Sequence, residues 1–260
     1  MDLIDTHCHL NFKAFGADFL SVAENSKQRG VKKAIIVGSD GKSSSRALEV
    51  AKKINVKLGE RWAVVAVGIH PTHFPKASEF EEIAKLSEDE LVVAIGETGF
   101  DLYRLGEETV DEQRELFRLH CQLAQKINKP LIFHNRAADE VFTKELERLK
   151  GAKGVFHCFS SDHSFAKKVV ASGFMISFTG NITYGNKKLK KVLKRVPLEK
   201  IMVETDAPYI VPEPQRTQGV ERNEPYLAGE VIKKIASVKE LEVEKVSAQI
   251  LQNSKTFFYL

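Results

Sequence analysis

The sequence predicts an α/β fold of the (β/α)8, or TIM-barrel, class, and three observations carry that expectation. Short apolar, β-branched runs alternate with amphipathic stretches along the chain. There are eight such runs, the number that closes a barrel. Imidazole or carboxylate residues stand at the ends of nearly all of them. An open doubly wound sheet is the competing arrangement, but it concentrates ligands at one switch point, whereas here the polar groups are spread around the strand ends. At 260 residues and 43% hydrophobic, the chain suits a single barrel domain spanning 1–260.

Residues 1–4, apolar but for Asp2, lead into Asp5-Thr6-His7-Cys8-His9, so a first strand ends in two imidazoles on one face with Cys8 on the other. A helix over 19–28 is closed by Gly30, and residues 33–38 form a second strand. Ser43, Ser44 and Ser45 offer N-caps to a helix through Ala47, Leu48, Ala51 and Ile54. The third strand, 63–68, runs into Ile69-His70-Pro71. Helical spacing at Phe80, Ile83, Ala84 and Leu86 precedes a fourth strand, 91–96, ending at Glu97. A long helix over 111–127 leads to a strand ending at His134, and a helix over 141–149 leads to one ending at His157. Residues 164–171 and 189–196 are helical ahead of strands at 174–178 and 201–206, the last ending at Asp206. Two further helices, 226–237 and 243–251, follow, with Phe257 and Phe258 as packing anchors.

Bulk composition excludes several classes. A formal charge of +4 does not by itself imply a polyanionic partner. Cys8, Cys121 and Cys158 are scattered and odd in number, which fits a reducing compartment, and strand parity turns Cys8 and Cys158 away from the neighbouring histidines. No apolar run has the length of a membrane span, and the first strand starts at Met1 with no room for a signal peptide; a cytoplasmic protein is expected. In 186–195, Leu189, Val192 and Leu193 make an apolar stripe, so the lysines read as the wet face of an outer helix.

His7, His9, His70, Glu97, His134, His157 and Asp206 therefore stand at strand ends, and in barrels of this class those ends share one mouth. Alternation places Leu91, Val93, Ile95 and Glu97 on one face, and Met202, Glu204 and Asp206 on another. Asp5 shares parity with His7 and His9, a position from which it would orient an imidazole from beneath. So many imidazoles and carboxylates exceed what one tetrahedral ion needs. Two divalent ions bridged by Glu97 are expected, with Zn2+ the best match and Mn2+ or Mg2+ as alternatives.

With these motifs in place, the chain resembles the TatD family of metal-dependent deoxyribonucleases, within the amidohydrolase-like barrels. The resemblance runs over almost the whole length. It rests on Asp5 to His9, Gly68-Ile69-His70-Pro71, Gly96-Glu97-Thr98-Gly99-Phe100-Asp101, His134-Asn135-Arg136, residues 156–160, Glu204-Thr205-Asp206-Ala207-Pro208 and Arg222-Asn223-Glu224-Pro225. It implies His7, His9, Glu97, His134, His157 and Asp206 as metal ligands and phosphodiester cleavage in DNA as the activity. No lysine matches the metal-bridging lysine of many amidohydrolase relatives, and Glu97 takes that place. The chain departs from the family at 215–222, where a compact basic stretch is usual, so the substrate-facing arginine there stays open; Phe100 stands where a smaller aliphatic residue is common.

The expected chemistry is attack by a metal-activated water on phosphorus, with Asp206 taking the water's proton and His70 contacting the scissile phosphate or leaving oxygen. Arg136, on the same face as His134, is expected to take two phosphate oxygens, with Arg222 and Asn223 assisting and Tyr103 stacking on a base. Single-strand trimming from an end suits a barrel mouth, and no obligate protein partner is expected. An amide or ester hydrolase, for example a deacylase on aminoacyl-tRNA, would use the same ligands.

Overall fold

The computed structural model describes residues 1–260, and in it eight parallel strands pair in sequence order. They are β1 (Leu3–Cys8), β2 (Val31–Val37), β3 (Ala63–Val67), β4 (Val92–Asp101), β5 (Leu131–Arg136), β6 (Gly154–Phe156), β7 (Met175–Phe178) and β8 (Ile201–Val203). Closure is made by backbone bonds just past the ladder: Asp206 N–H donates to His7 O at 2.9 Å, and His9 N–H donates to Ala207 O at 2.8 Å. The expected barrel is therefore the observed one.

Two apolar clusters hold it. Val37, Val64, Ala66, Ile132, Val155 and Met202 fill the barrel's interior, while a larger cluster lies between the strands and the outer helices. Phe100, Phe117, Phe133, Phe142, Phe156 and Phe174 interlock in that outer layer, with neighbouring ring centroids mostly 5 to 6 Å apart, a spacing suited to edge-on contacts. Phe258, at the end of the helix Val243–Phe258, joins the interior cluster. The next residue, Tyr259, receives Lys153 over its ring at 4.2 Å, and Lys153 immediately precedes β6. That helix thus closes the end of the barrel opposite the mouth. Burying one such phenyl ring contributes roughly 1.5–3 kcal/mol.

Several local expectations are corrected. The helix Gly41–Leu58 is capped by Asp40, not by the serines. Asp40 Oδ1 accepts from Ser43 N and the Ser43 side chain accepts from Asp40 N, because the aspartate sits one turn earlier where the first N–H groups are free. Strict alternation also fails on β4: Val93 and Ala94 both pack inside, whereas Ile95 packs in the outer cluster. The register shifts against β3 and again against β5 between Ile95 and Thr98, and Gly96 absorbs the second shift at φ +141. A Cβ there would lie 2.6 Å from Ile132 O, so only glycine lets β4 approach β5 this closely. Glu97 reaches the mouth through that irregularity rather than through a continuous inward row.

Candidate metal centre

The mouth holds a cleft of about 700 Å³ lined by His9, His70, Glu97, His134, His157 and Asp206, with His7 directly beneath. β1 brings His7 and His9 in side by side, with their Nε2 atoms 3.3 Å apart. Asp206 stands at φ +56 past the end of β8, not on it, and its backbone bond to His7 sets its carboxylate Oδ1 3.3 Å from His9 Nε2 and 3.8 Å from His7 Nε2. A short polar side chain tolerates that left-handed conformation.

Glu97 lies between two sets of imidazoles. Its Oε2 is 3.0 Å from His157 Nε2 and 3.4 Å from His134 Nδ1, while its Oε1 faces His9 Nε2 at 4.0 Å. Candidate ligand atoms gather within 4.8 Å of one another in His7, His9 and Glu97, in Glu97, His134 and His157, and in His7, His157 and Asp206. The rings of His7 and His157 stack at 4.1 Å, which fixes both orientations.

Nitrogen atoms this close suit cations placed between them. The facing Nε2 atoms, 3.3 Å apart, lie within reach of one shared proton or one cation, and His7 Nδ1 has no hydrogen-bond partner although it is buried. Burial drives His7 well below the usual histidine range. Burial also opposes charge on His157, yet Glu204 and Glu97 outweigh it and hold that ring well above the usual range. Glu97 resists burial in the same way: His70, His134 and His157 hold it well below the carboxylate range. A charged carboxylate amid imidazoles is a donor set that divalent ions of the zinc type accept.

Three residues to which the sequence assigns no role support the cluster. Asp101, fully buried, sets Oδ2 3.1 Å from His134 Nε2 while its Oδ1 accepts from Arg104 N at 2.9 Å. A ring whose Nε2–H donates to a carboxylate presents the Nδ1 lone pair to Glu97 and His157. The signal was available, since 97, 99 and 101 alternate alike at the mouth end of β4. Glu204 is the second. Buried beneath His157, it lies 3.5 Å from Nδ1 and accepts from Cys158 N at 2.5 Å. Thr72 is the third: its N–H donates to His70 Nδ1 at 3.1 Å, leaving His70 with its proton on Nε2. Burial pushes His70 down to about 4, so the ring is neutral at pH 7.

Other expected residues are placed differently. Asp5 touches no imidazole ring; it accepts from Thr205 N at 2.9 Å and Thr205 Oγ1 at 2.6 Å, tying β1 to the segment after β8. Burial raises its pKa to about 8. Cys8 packs in the core, but Cys158 lines the cleft at φ +43, because β6 ends at Phe156 and parity no longer applies there. Arg136 lines the cleft and stacks over the ring of Tyr103 at 4.2 Å; that ring is 70% exposed at the rim.

Arg222 is engaged elsewhere. It forms a two-pronged pair with Asp18 at 3.0 and 2.7 Å, bonds Glu224, and covers Phe15. Asn223 is buried and spends its amide on Thr205 O, Tyr209 O and Ile210 O. His73 pairs with Glu79 at 3.0 Å, outside the cluster. The helix Lys187–Arg195 buries Leu189, Val192 and Leu193 and leaves its lysines to solvent. No helix is long and apolar enough to cross a membrane.

Comparison with known proteins agrees with this geometry. A family profile described as TatD related DNase matches residues 4–259. The chain is 35% identical to YabD of Bacillus subtilis, named an uncharacterized metal-dependent hydrolase, with 98% of each chain covered. It is 34% identical to the similarly named YcfH of Escherichia coli, covering 100% of this chain and 97% of that one. Among solved structures, the TatD homologue YJJV of Escherichia coli superposes with a TM-score of 0.89 at 27% identity, over 99% of this chain and 98% of that one.

Proposed function

The chain belongs to the TatD-related DNase family and is a metal-dependent hydrolase, and from that premise we propose that it cleaves phosphodiester bonds in DNA, trimming single strands from an end. The observation that carries the reading is one cleft in which Glu97 faces two imidazole sets and which Arg136 also lines. In this proposal His7, His9, Glu97, His134, His157 and Asp206 hold two divalent ions. Zn2+ suits the nitrogen-rich set, and Mn2+ or Mg2+ is the alternative. When bound, such ions lower the pKa of water towards neutrality and polarise a phosphoryl oxygen.

The chain's own groups supply the rest. Asp206 accepts the proton of the water that attacks phosphorus. Neutral His70, its Nδ1 occupied by Thr72, gives a hydrogen bond from Nε2 to the leaving oxygen as the P–O bond breaks, and that oxygen takes its proton from solvent. Arg136 takes two non-bridging oxygens, its plane held by Tyr103. A cytoplasmic location is proposed on three free cysteines.

The test presents end-labelled single- and double-stranded DNA, RNA and a simple ester to the purified protein with defined metals. Single-stranded DNA should shorten from one end, stop shortening on chelation and resume when metal is returned. Products from the ester alone would overturn the reading in favour of an ester or amide hydrolase.

A further inference from the structure

The cleft does not end at the metal cluster. Phe12, Asp40 and Tyr209 line it and also line an adjoining groove of about 540 Å³, whose far wall carries Lys13, Lys42 and Arg46. All three cations are exposed, and none pairs with a carboxylate. Arg46 spends only Nε, on Asn11 O at 2.9 Å, so both terminal nitrogens are free. The one acidic group of the wall, Asp40, is committed to Ser43 N as a helix cap. Asn11 is buried in the same wall and gives its amide to Val37 O and Ser43 O, leaving Oδ1 without a partner.

Between cleft and groove stands an aromatic ridge. Phe12 lies flat on His9, with centroids 4.3 Å apart and planes 11° apart, and Tyr209 stands 6.5 Å away at 71° with 54% of its surface exposed. Cations that neutralise one another's neighbours would make ion pairs; here they face a cavity, and the surface separating them from the metal cluster is aromatic. Phosphates spaced along a chain, with unstacked bases between them, match that alternation of positive and aromatic surface.

We propose that this groove is a second binding site for a single-stranded polynucleotide. The strand would leave the metal cluster over Phe12 and Tyr209, rest a base against that ridge, and set its next phosphates against Lys13, Lys42 and Arg46. The inference rests on the nuclease reading above, but its test does not need cleavage.

The probes are fluorescent oligothymidylates with phosphorothioate linkages, which resist hydrolysis: a dinucleotide and an oligomer of about eight nucleotides. Binding is followed by anisotropy across a salt series, using the metal-loaded protein and a Lys13→Glu, Lys42→Glu, Arg46→Glu variant. The variant should bind the oligomer ~10–100-fold more weakly, with the slope of log affinity against log salt reduced by about 2, as expected for three phosphate contacts on a single strand. Dinucleotide binding and hydrolysis of bis(p-nitrophenyl) phosphate should stay at wild-type values, which also shows that the variant is folded. A separate Tyr209→Ala change should weaken oligomer binding without altering the salt slope. Unchanged oligomer affinity and slope in the triple variant overturn the groove, as does a wild type that binds no oligomer. A wild type that binds the unmodified oligomer through these cations yet leaves it uncut supports the groove and contradicts the nuclease reading instead.

Discussion

Asp101→Asn changes one atom, and the structure dictates which way the new amide must face. Asp101 Oδ1 accepts from Arg104 N at 2.9 Å, so the amide oxygen has to stay there, and the new NH2 is turned onto His134 Nε2, 3.1 Å away. A donor facing Nε2 forces that nitrogen to accept, and the ring proton moves to Nδ1. That is the nitrogen that faces Glu97 and His157, so the lone pair meant for an ion is lost. Restoring it means setting two donors against each other and giving up a charge-assisted hydrogen bond, about 1.5–3 kcal/mol. At about 1.4 kcal/mol per factor of ten, this is a loss of roughly 10–100-fold in affinity at one of the two proposed sites. Calorimetric titration of the metal-free protein should show one ion bound as in wild type and the other weakened by that factor. The melting temperature of the metal-free variant should be unchanged. Two ions bound at wild-type affinity, with wild-type phosphodiesterase activity, would refute the tautomer argument.

Three further outcomes are expected. Glu97→Gln should reduce the metal content from two ions to at most one and lower hydrolysis by at least ~100-fold, measured by elemental analysis and a chromogenic phosphodiester; two tightly held ions would contradict the bridging role. Arg136→Ala should cut kcat/KM for a phosphodiester by roughly 10–100-fold while sparing a neutral ester, whereas Arg222→Ala should leave both rates intact and cost about 1 kcal/mol or less of stability, because its pair with Asp18 is partly exposed. His120 is buried, donates from Nδ1 to Leu116 O at 2.8 Å and accepts Ile69 N–H on Nε2 at 3.0 Å, so it has no place for a second proton. Burial lowers its pKa from 6.5 to about 4, which means the unfolded chain binds a proton that the folded chain refuses between those values. The stability it contributes is complete above pH 6.5 and falls away as pH drops towards 4, by about 3 kcal/mol. Denaturant titrations of His120→Gln should lack that share of acid sensitivity; parallel wild-type and variant curves would contradict it.

Much of the architecture was legible because it depends on local chemistry. Eight β-branched runs punctuated by amphipathic stretches determine a barrel, since each strand must bury both faces and each helix one. The imidazoles and carboxylates at the strand ends followed from the same reading, because parallel strands place their C-terminal ends at one mouth. Other features belong only to the tertiary structure. Whether Glu97 faces inward depends on a register shift at Gly96, set by how closely β4 can approach β5, and alternation along one strand carries no record of its neighbour's register. The positions of Asp206 and Cys158 lie past their strands, where loop dihedrals decide. Arg222 reads as a substrate contact in a linear sequence and is a structural clamp in three dimensions, because Asp18, 204 residues away, lies beside it. Asp101 shows the same asymmetry in reverse: nothing in the sequence says which nitrogen of His134 it holds, and that nitrogen decides what the ring can bind. Periodicity records which face a residue occupies; the partner it meets there is fixed by contacts distant in sequence, and only packing makes them.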